Sequence, residues 1–141
     1  MNIGGHITKE QFLSIYKTIP KNTEVIGLVK NIVQFINSVD LLIVPITTTH
    51  FCRPVIEAAA LGKPAILPDL EGMDEMIEAG KTGFIFKAAD SKDLAKKINY
   101  AATHRMVLHE MGTKARNKYE QDFARSINVA KVIDVFEELL K

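Results

Sequence analysis

Short apolar runs alternate along the chain with segments whose apolar residues recur at helical spacing. Four runs predict strands, at residues 24–29, 41–44, 65–67 and 83–86, and residues 1–3 predict the end of another. Helical segments separate them at residues 8–20, 32–37, 54–61 and 73–79. Alternating strands and helices indicate βαβ units. Because two of the runs lack polar alternation, as parallel strands covered on both faces do, we predict a three-layer, Rossmann-like α/β domain with a parallel sheet.

Three further helices are predicted in the last third of the chain, at residues 91–104, 106–119 and 127–140. The first two have inward positions at Leu94, Ile98, Ala101, Leu108, Met111 and Ala115. The last has an apolar face of helical period made of Val129, Val132, Ile133, Phe136, Leu139 and Leu140. This last face is wide enough to dock on a partner domain.

Composition and charge exclude several classes of function. The 141 residues fit one domain, and 18 basic against 17 acidic residues give no electrostatic reason to expect nucleic acid or an anionic membrane as partner. Cys52 is the only cysteine, which excludes an internal disulfide and favours a reducing compartment. No apolar run approaches the ~20 residues that span a bilayer. The first residues lack the features of a signal peptide, so we predict a cytoplasmic protein.

The loops that follow the predicted strands are the places to look for a binding site. An open parallel sheet binds ligands beyond the carboxyl ends of its strands. The loops in question are Gly4 and Gly5, residues 29–31, residues 46–53, residues 68–72 and residues 87–90.

The predicted helix at residues 54–61 is the most informative segment. It is apolar almost all round, and Glu57 is its only charge. A buried unpaired carboxylate is costly, so Glu57 either pairs with a basic residue in a structural role or faces a cleft where a ligand donates hydrogen bonds. A ribose diol suits a carboxylate, and the free amides near Pro54 favour an anion such as a diphosphate. The residues alone leave both interpretations open.

Other motifs point to structure rather than chemistry. His50 and Cys52 form a His-x-Cys pair without a second pair of ligands, which does not predict a zinc site, and no base is marked for Cys52 as a nucleophile. Asp69 and Glu71 are interpreted as part of a capped loop. Gly4 and Gly5 form a turn, since no Gly-Lys-Ser/Thr follows them.

Taken in order, the motifs between residues 25 and 86 resemble the donor-binding domain of retaining glycosyltransferases with the two-domain GT-B fold. The matching segments are Gly27-Leu28-Val29, residues 40–45 from Asp40 to Pro45, residues 49–64 ending in Gly62-Lys63-Pro64, Gly72 with Glu75, and Thr82-Gly83. The C-terminal helices fit as well, so the resemblance covers about residues 20–141. Many positions in order are far more specific than one glycine motif.

The resemblance implies a role for each matching residue. Glu57 matches a glutamate that holds the ribose of the nucleotide, and Val29 matches a position whose main chain reads the base. A loop whose backbone amides approach the donor sugar and phosphates matches Phe51, Cys52 and Arg53. Gly72 and Glu75 match the rim of the cleft.

Two positions depart from the family pattern. Thr49 replaces the catalytic-site glutamate that accepts hydrogen bonds from the transferred sugar, and it would bind those hydroxyls more weakly or through water. Cys52 replaces a glycine, which adds a side chain where the backbone should approach the ligand. The family's donor domain also begins with a further strand and helix and follows an acceptor domain. We therefore expect residues 1–141 to be an N-terminally truncated donor domain, inactive by itself.

The resemblance implies transfer of a hexose from a UDP- or GDP-sugar to an acceptor hydroxyl, with retention and without an essential metal or other cofactor. This chain would bind the donor. One alternative is a non-catalytic nucleotide-binding or interaction module derived from such an enzyme, which Thr49 favours. Another is a sugar-nucleotide epimerase, which needs acid–base carboxylates, and only Glu57 and Glu75 are placed for that role.

Overall fold

The computed structural model describes residues 10, 11, 14, 21–24, 26, 27 and 29–140, in two compact units that divide after residue 35. In the first unit Glu10, Gln11 and Ser14 are helical, which agrees with the predicted helix at 8–20. The strand predicted at 24–29 is wrong at its described residues, which have no regular structure. Ile26 there is 51% exposed, so the described residues of this short apolar run do not form the buried strand that the run predicts. The predictions for residues 1–5 lie outside the described residues.

Helix α1 (Ile32–Asn37) forms where the spacing predicts it. Its start is capped by Asn31, whose side-chain oxygen accepts a hydrogen bond from the Gln34 amide at 3.0 Å. Strand β1 (Leu42–Ile43) follows.

The second unit is built on a parallel sheet of β1, β2 (Ala65–Pro68) and β3 (Gly83–Phe86), in that order. Ile43 pairs with Ile66, and Ile66 pairs with Phe84. The predicted strands are thus present, although the ladder of β1 is shorter than the apolar run that predicts it. The carboxyl ends of all three strands meet at one edge of the sheet.

The helices of the second unit are α2 (Arg53–Ala60), α3 (Met73–Met76), α4 (Ser91–Thr103), α5 (Arg105–Lys118) and α6 (Arg125–Leu139). A π-helical turn at Tyr119–Phe123, which has no sequence signal, follows α5. Helix α3 ends earlier than its prediction to residue 79, because Ile77 is extended and buries its side chain. The other boundaries agree with the predictions within two residues.

Two apolar clusters, one on each face of the sheet, make the three layers. Leu67 belongs to a cluster with Val55 of α2 and Met73 of α3. Ile66, the next residue along β2 and so on the other face, belongs to a cluster with Leu108 of α5. The predicted three-layer α/β fold is confirmed, with α2 and α3 on one face and α4 and α5 on the other.

Two glycines allow close approach between neighbouring backbone segments. A Cβ on Gly83 of β3 would lie less than 3.0 Å from the Ala65 carbonyl oxygen. A Cβ on Gly112 of α5 would meet the Gly62 carbonyl oxygen just beyond α2 in the same way. The Arg116 guanidinium of α5 also donates to the Ala60 carbonyl oxygen. Helix α5 therefore fixes the carboxyl end of α2.

The inward faces predicted for α4 and α5 are confirmed, since Ala101, Leu108, Met111 and Ala115 are buried. Helix α6 differs, because it buries no residue in the described chain and its predicted apolar face is exposed. Within the described residues, no helix combines the length and the apolar character needed to cross a membrane.

Candidate functional site

The loop after β1 delivers the chain to the amino end of α2 at the carboxyl edge of the sheet. Residues 44–52 are irregular, and α2 begins at Arg53 with Pro54 in its first turn. Cys52 precedes the helix without a side-chain capping hydrogen bond, and the Val55 amide donates to the Cys52 carbonyl oxygen at 2.9 Å. A helix end of this kind carries partial positive charge and favours an anionic group.

Cys52 points into the core instead of toward a ligand. It is 1% exposed and belongs to the cluster that contains Val55 and Met76. Its amide donates to the Met76 sulfur at 3.4 Å, and its Sγ lies 3.3 Å from His50 Nδ1. The sequence interpretation, in which this side chain intrudes where the backbone meets the ligand, is therefore corrected. The loop accommodates a cysteine because the space for its Cβ and Sγ lies beneath the loop.

Burial raises the pKa of the Cys52 thiol, so less thiolate is present at a given pH than for an exposed cysteine. At neutral pH, we expect Cys52 in the native chain to react with iodoacetamide at least about tenfold more slowly than Cys52 in the urea-unfolded chain. Mass spectrometry follows the reaction without ambiguity, since this is the only cysteine. Equal rates for the native and unfolded chains would contradict the buried position.

Glu57 has a partner, but a weak one. Its Oε1 lies 3.3 Å from Nε of Arg53, one turn earlier in α2, and the two side chains are 35% and 84% exposed respectively. An exposed pair of this kind contributes about 0–1 kcal/mol. The geometry thus fits the interpretation in which Glu57 pairs with a basic residue. Because the pair is weak, Arg53 can move away at little cost when a ligand offers Glu57 better donors.

Gly72 and Glu75 lie beside this loop at the same edge. Gly72 adopts φ +79° and precedes α3, whose first turn contains the exposed Glu75. The contact between the Cys52 amide and Met76 joins α3 to the loop. The structure therefore brings the predicted residues 51–57 and 72–75 to adjoining segments.

Asp69 has a structural role, as the sequence interpretation of a capped loop expects. Its carboxylate accepts a hydrogen bond from the Ala88 amide at 2.5 Å, and its own amide donates to the Phe86 carbonyl oxygen at 2.8 Å. These bonds tie the loop after β2 to the loop after β3. They fix the floor of the carboxyl edge next to Gly72.

Thr49 and Phe51 are exposed in the loop. Phe51 is 63% exposed, and its ring centroid lies 6.4 Å from that of Phe123 in the π-helical turn. Sequence reasoning missed Phe123, because nothing in the sequence marks a π-helical turn beyond the end of α5. Val29 is partly buried in the first unit, and its role in reading a base stays a prediction.

In the described part of the chain, no group of three or more His, Cys, Asp or Glu side chains gathers as metal ligands would. Activity without an essential metal remains a prediction. A cavity of about 130 Å³ lies at the amino edge of the sheet, opposite the predicted site, and its polar lining includes Asp40, Lys63, Arg105 and His109. None of the predicted site residues lines it.

Comparison with known proteins identifies related sequences. Residues 4–118 match the model of a family described as glycosyl transferases group 1. The chain is 27% identical over 127 residues to the capsular polysaccharide biosynthesis glycosyltransferase CapM of Staphylococcus aureus. That match covers 90% of this chain and 33% of CapM, so the chain spans about a third of this relative.

Solved glycosyltransferases share the fold. The structure of Anabaena HepE in complex with UDP-glucose matches with a TM-score of 0.80 at 22% identity, over 92% of this chain and 35% of HepE. The C-terminal domain of LpcC, a group 1 glycosyl transferase of Francisella tularensis, matches with a TM-score of 0.69 at 16% identity, over 82% of this chain and 60% of that one. The predicted likeness to the C-terminal domain of a GT-B glycosyltransferase is confirmed.

Proposed function

Because the chain belongs to the group 1 glycosyltransferases, we propose that it binds the nucleotide diphosphate of a sugar donor at the carboxyl edge of its sheet. The observation that carries the proposal is the position of Glu57. Its partly exposed carboxylate lies one turn inside α2, whose amino end opens on the loop after β1. A diphosphate at the helix start and a ribose against Glu57 would use both features.

Arg53 gives this pose an order in which its contacts form. Its exposed guanidinium is held to Glu57 by a pair that contributes little. An arriving diphosphate attracts the guanidinium more strongly, since phosphate oxygens accept two parallel hydrogen bonds from arginine. Glu57 is then released to accept hydrogen bonds from the ribose hydroxyls. Phosphate and ribose binding would therefore support each other.

The proposed reaction of the whole protein is transfer of a hexose from a UDP- or GDP-sugar to an acceptor hydroxyl, with retention and without an essential metal. A further domain would bind the acceptor and contribute catalytic groups, and residues 1–141 alone would bind the donor without transferring it. Two findings support this division. The chain covers 33% of CapM, and its fold is shared with HepE, which was solved with UDP-glucose.

A nucleotide titration tests the proposal directly. Amide NMR spectra of the chain are recorded with UDP and then with GDP, in the presence of EDTA. We expect a weak complex, with Kd on the order of 0.1–1 mM, equivalent to ~4–5 kcal/mol. Shifted resonances should centre on residues 51–57 and 72–75, and the tighter nucleotide identifies the base. A well-dispersed spectrum that millimolar nucleotide leaves unchanged would contradict the proposal.

The second candidate, a module that binds nucleotide but no longer serves transfer, is favoured by one observation. Thr49 stands where the resemblance expects a glutamate, and it is exposed in an irregular loop. A threonine hydroxyl offers no charged acceptor to the hexose. A degenerate module would keep the nucleotide site and lose recognition of the sugar.

This difference leads to a prediction about the hexose. We expect the wild-type chain to bind UDP-glucose no more tightly than UDP. Thr49→Glu should raise the affinity for UDP-glucose by about 3- to 30-fold, because a carboxylate accepts charged hydrogen bonds from sugar hydroxyls. Calorimetry or NMR titration measures both ligands. Thr48→Glu, at the adjacent exposed residue, is the control and should leave the ratio of the UDP-glucose and UDP affinities as it is in wild type. A wild-type preference of tenfold or more for UDP-glucose would argue against the degenerate module.

A further inference from the structure

The π-helical turn at Tyr119–Phe123 lies beside the proposed donor site. It packs against α2, the helix that carries Glu57, as well as against α5, which it extends. A π-helical turn is a rare distortion of a helix and occurs frequently at functional sites. The function proposed above gives this turn no role, although the turn contacts the helix on which the site is built.

Phe123 joins the turn to the loop of the site. Its ring centroid lies 6.4 Å from that of Phe51, with 53° between the two ring planes. Aromatic pairs favour tilted contacts of this kind at centroid distances up to about 7 Å. Phe51 is 63% exposed, whereas Phe123 is partly buried. The turn therefore supplies the better fixed ring, and the loop supplies the more mobile one.

The Phe123 ring is itself held by a charged pair within the turn. The Lys118 ammonium donates to Asp122 Oδ2 at 2.7 Å and lies 5.8 Å from the centre of the Phe123 ring, which is a cation–π contact. The side chain of Lys118 is only 16% exposed. Because Lys118 is both paired and mostly buried, it restrains the ring that rests against it.

The same lysine connects the turn to the segment that follows α3. The pKa of Glu78 is lowered, chiefly by the hydrogen bond from Lys81 and also by the charge of Lys118. Lys118 is therefore near enough to Glu78 to act on its carboxylate. The turn thus borders both the loop before α2 and the segment after α3, which adjoin at the proposed site.

The loop before α2 is fixed on its other side by Cys52. The Cys52 side chain is buried, and the Cys52 amide donates to the Met76 sulfur at 3.4 Å. Residue 51 consequently lies between a buried neighbour and the Phe123 ring. A contact at the Phe51 side chain therefore sets the direction of the backbone that leads into Arg53 and the amino end of α2.

Resting on the donor site proposed above, we propose that Phe123 is a positioning residue for nucleotide binding. It holds Phe51, and through Phe51 the backbone of residues 51–53, in the arrangement that the diphosphate meets. A ligand that binds one arrangement of a loop loses apparent affinity as that arrangement becomes less populated. One aromatic pair shifts such an equilibrium by about 2- to 10-fold. Phe123 would thus act on the affinity without touching the nucleotide.

Amide NMR titration of the chain with UDP measures this effect. Phe123→Ala should raise the Kd for UDP by about 2- to 10-fold, and in the ligand-free chain it should shift the amide resonances of residues 50–53. Phe123→Tyr keeps the ring and should bind UDP as wild type does. Gln121→Ala, at an exposed residue of the same turn, is the control and should change neither quantity. If Phe123→Ala does not fold, Phe123→Leu removes the ring while keeping an apolar side chain.

A double-mutant cycle tests the route through Phe51. Phe51→Ala alone should raise the Kd for UDP at least as much as Phe123→Ala does. In the Phe51→Ala background, Phe123→Ala should have no further effect, because the ring that Phe123 holds is gone. A merely structural role for Phe123 predicts the same loss in both backgrounds, and that result would overturn the positioning role.

The titration also separates the positioning role from the donor site itself. Wild-type affinity for UDP in Phe123→Ala would overturn the positioning role and leave the donor site in place. A folded wild-type chain that does not bind UDP or GDP at millimolar concentration would overturn both.

Discussion

Replacing Glu57 by alanine is expected to lower the affinity for UDP by about 10- to 100-fold, because hydrogen bonds to a charged group contribute about 1.5–3 kcal/mol. In the proposed pose the two ribose hydroxyls donate to the two oxygens of this carboxylate. Starting from a Kd of about 0.1–1 mM, such a loss raises Kd to about 1–100 mM, so the shifts at millimolar UDP in the amide NMR titration should shrink strongly. The chain should remain folded, since the substitution removes only the exposed pair with Arg53, which contributes about 0–1 kcal/mol.

Matched ligands and variants separate a ribose contact from a general loss of charge. With 2′-deoxy-UDP, which lacks one hydroxyl, wild-type chain should bind more weakly than with UDP, and Glu57→Ala should bind both alike. The UDP affinity of Glu57→Gln should fall between those of wild type and Glu57→Ala, because an amide oxygen still accepts a hydrogen bond. Glu110→Ala removes another glutamate, from the exposed surface of α5, and UDP should bind this variant as it binds wild type. Unchanged UDP affinity in Glu57→Ala would contradict the proposed site.

Gly112→Ala is expected to lower the free energy of unfolding by about 1–3 kcal/mol, the usual cost of overpacking a well-packed core. The direction is informative, because glycine inside a helix is normally about 1 kcal/mol worse than alanine. Here the added Cβ would meet the backbone carbonyl of Gly62, which has no side chain to move aside and itself adopts φ +68°. Either α5 or the turn after α2 must shift. Urea unfolding followed by circular dichroism measures the change.

The neighbouring residue provides the control for this prediction. Thr113 is exposed on the same turn of α5, and Thr113→Ala should leave stability unchanged or raise it slightly, since alanine is the better helix former. A Gly112→Ala chain as stable as wild type would show that the contact between α5 and Gly62 is looser than described. The contact also bears on binding, because it fixes the carboxyl end of the helix that carries Glu57.

Much of the second unit follows from local patterns. The runs at residues 65–67 and 83–86 could be assigned to strands because a strand covered on both faces needs continuous apolar residues. The inward residues of α4 and α5 follow from helical period alone, and Leu108, Met111 and Ala115 are buried as predicted. The placement of residues 51–57 beside 72–75 follows from the rule that parallel strands end at one edge.

The remaining features depend on partners distant in sequence. Gly112 looks like any glycine in a helix. A glycine is needed there because the carbonyl group of Gly62, fifty positions earlier in the chain, leaves no room for a Cβ. The direction of the Cys52 side chain depends on space next to Met76, which no local pattern reveals. The described residues within 24–29 show the opposite failure, since a short apolar run predicts a strand whether or not a ladder partner exists.

The exposure of α6 implies that the domain contains two levels of stability. Opening β2 breaks both apolar clusters, so its amide hydrogens should exchange with solvent only through global unfolding. Helix α6 contributes to neither cluster, and its amides should exchange with an opening free energy set by the helix and by whatever covers it. Hydrogen exchange in α6 should therefore be faster than in β2, and a partner that covers α6 should slow exchange in α6 alone.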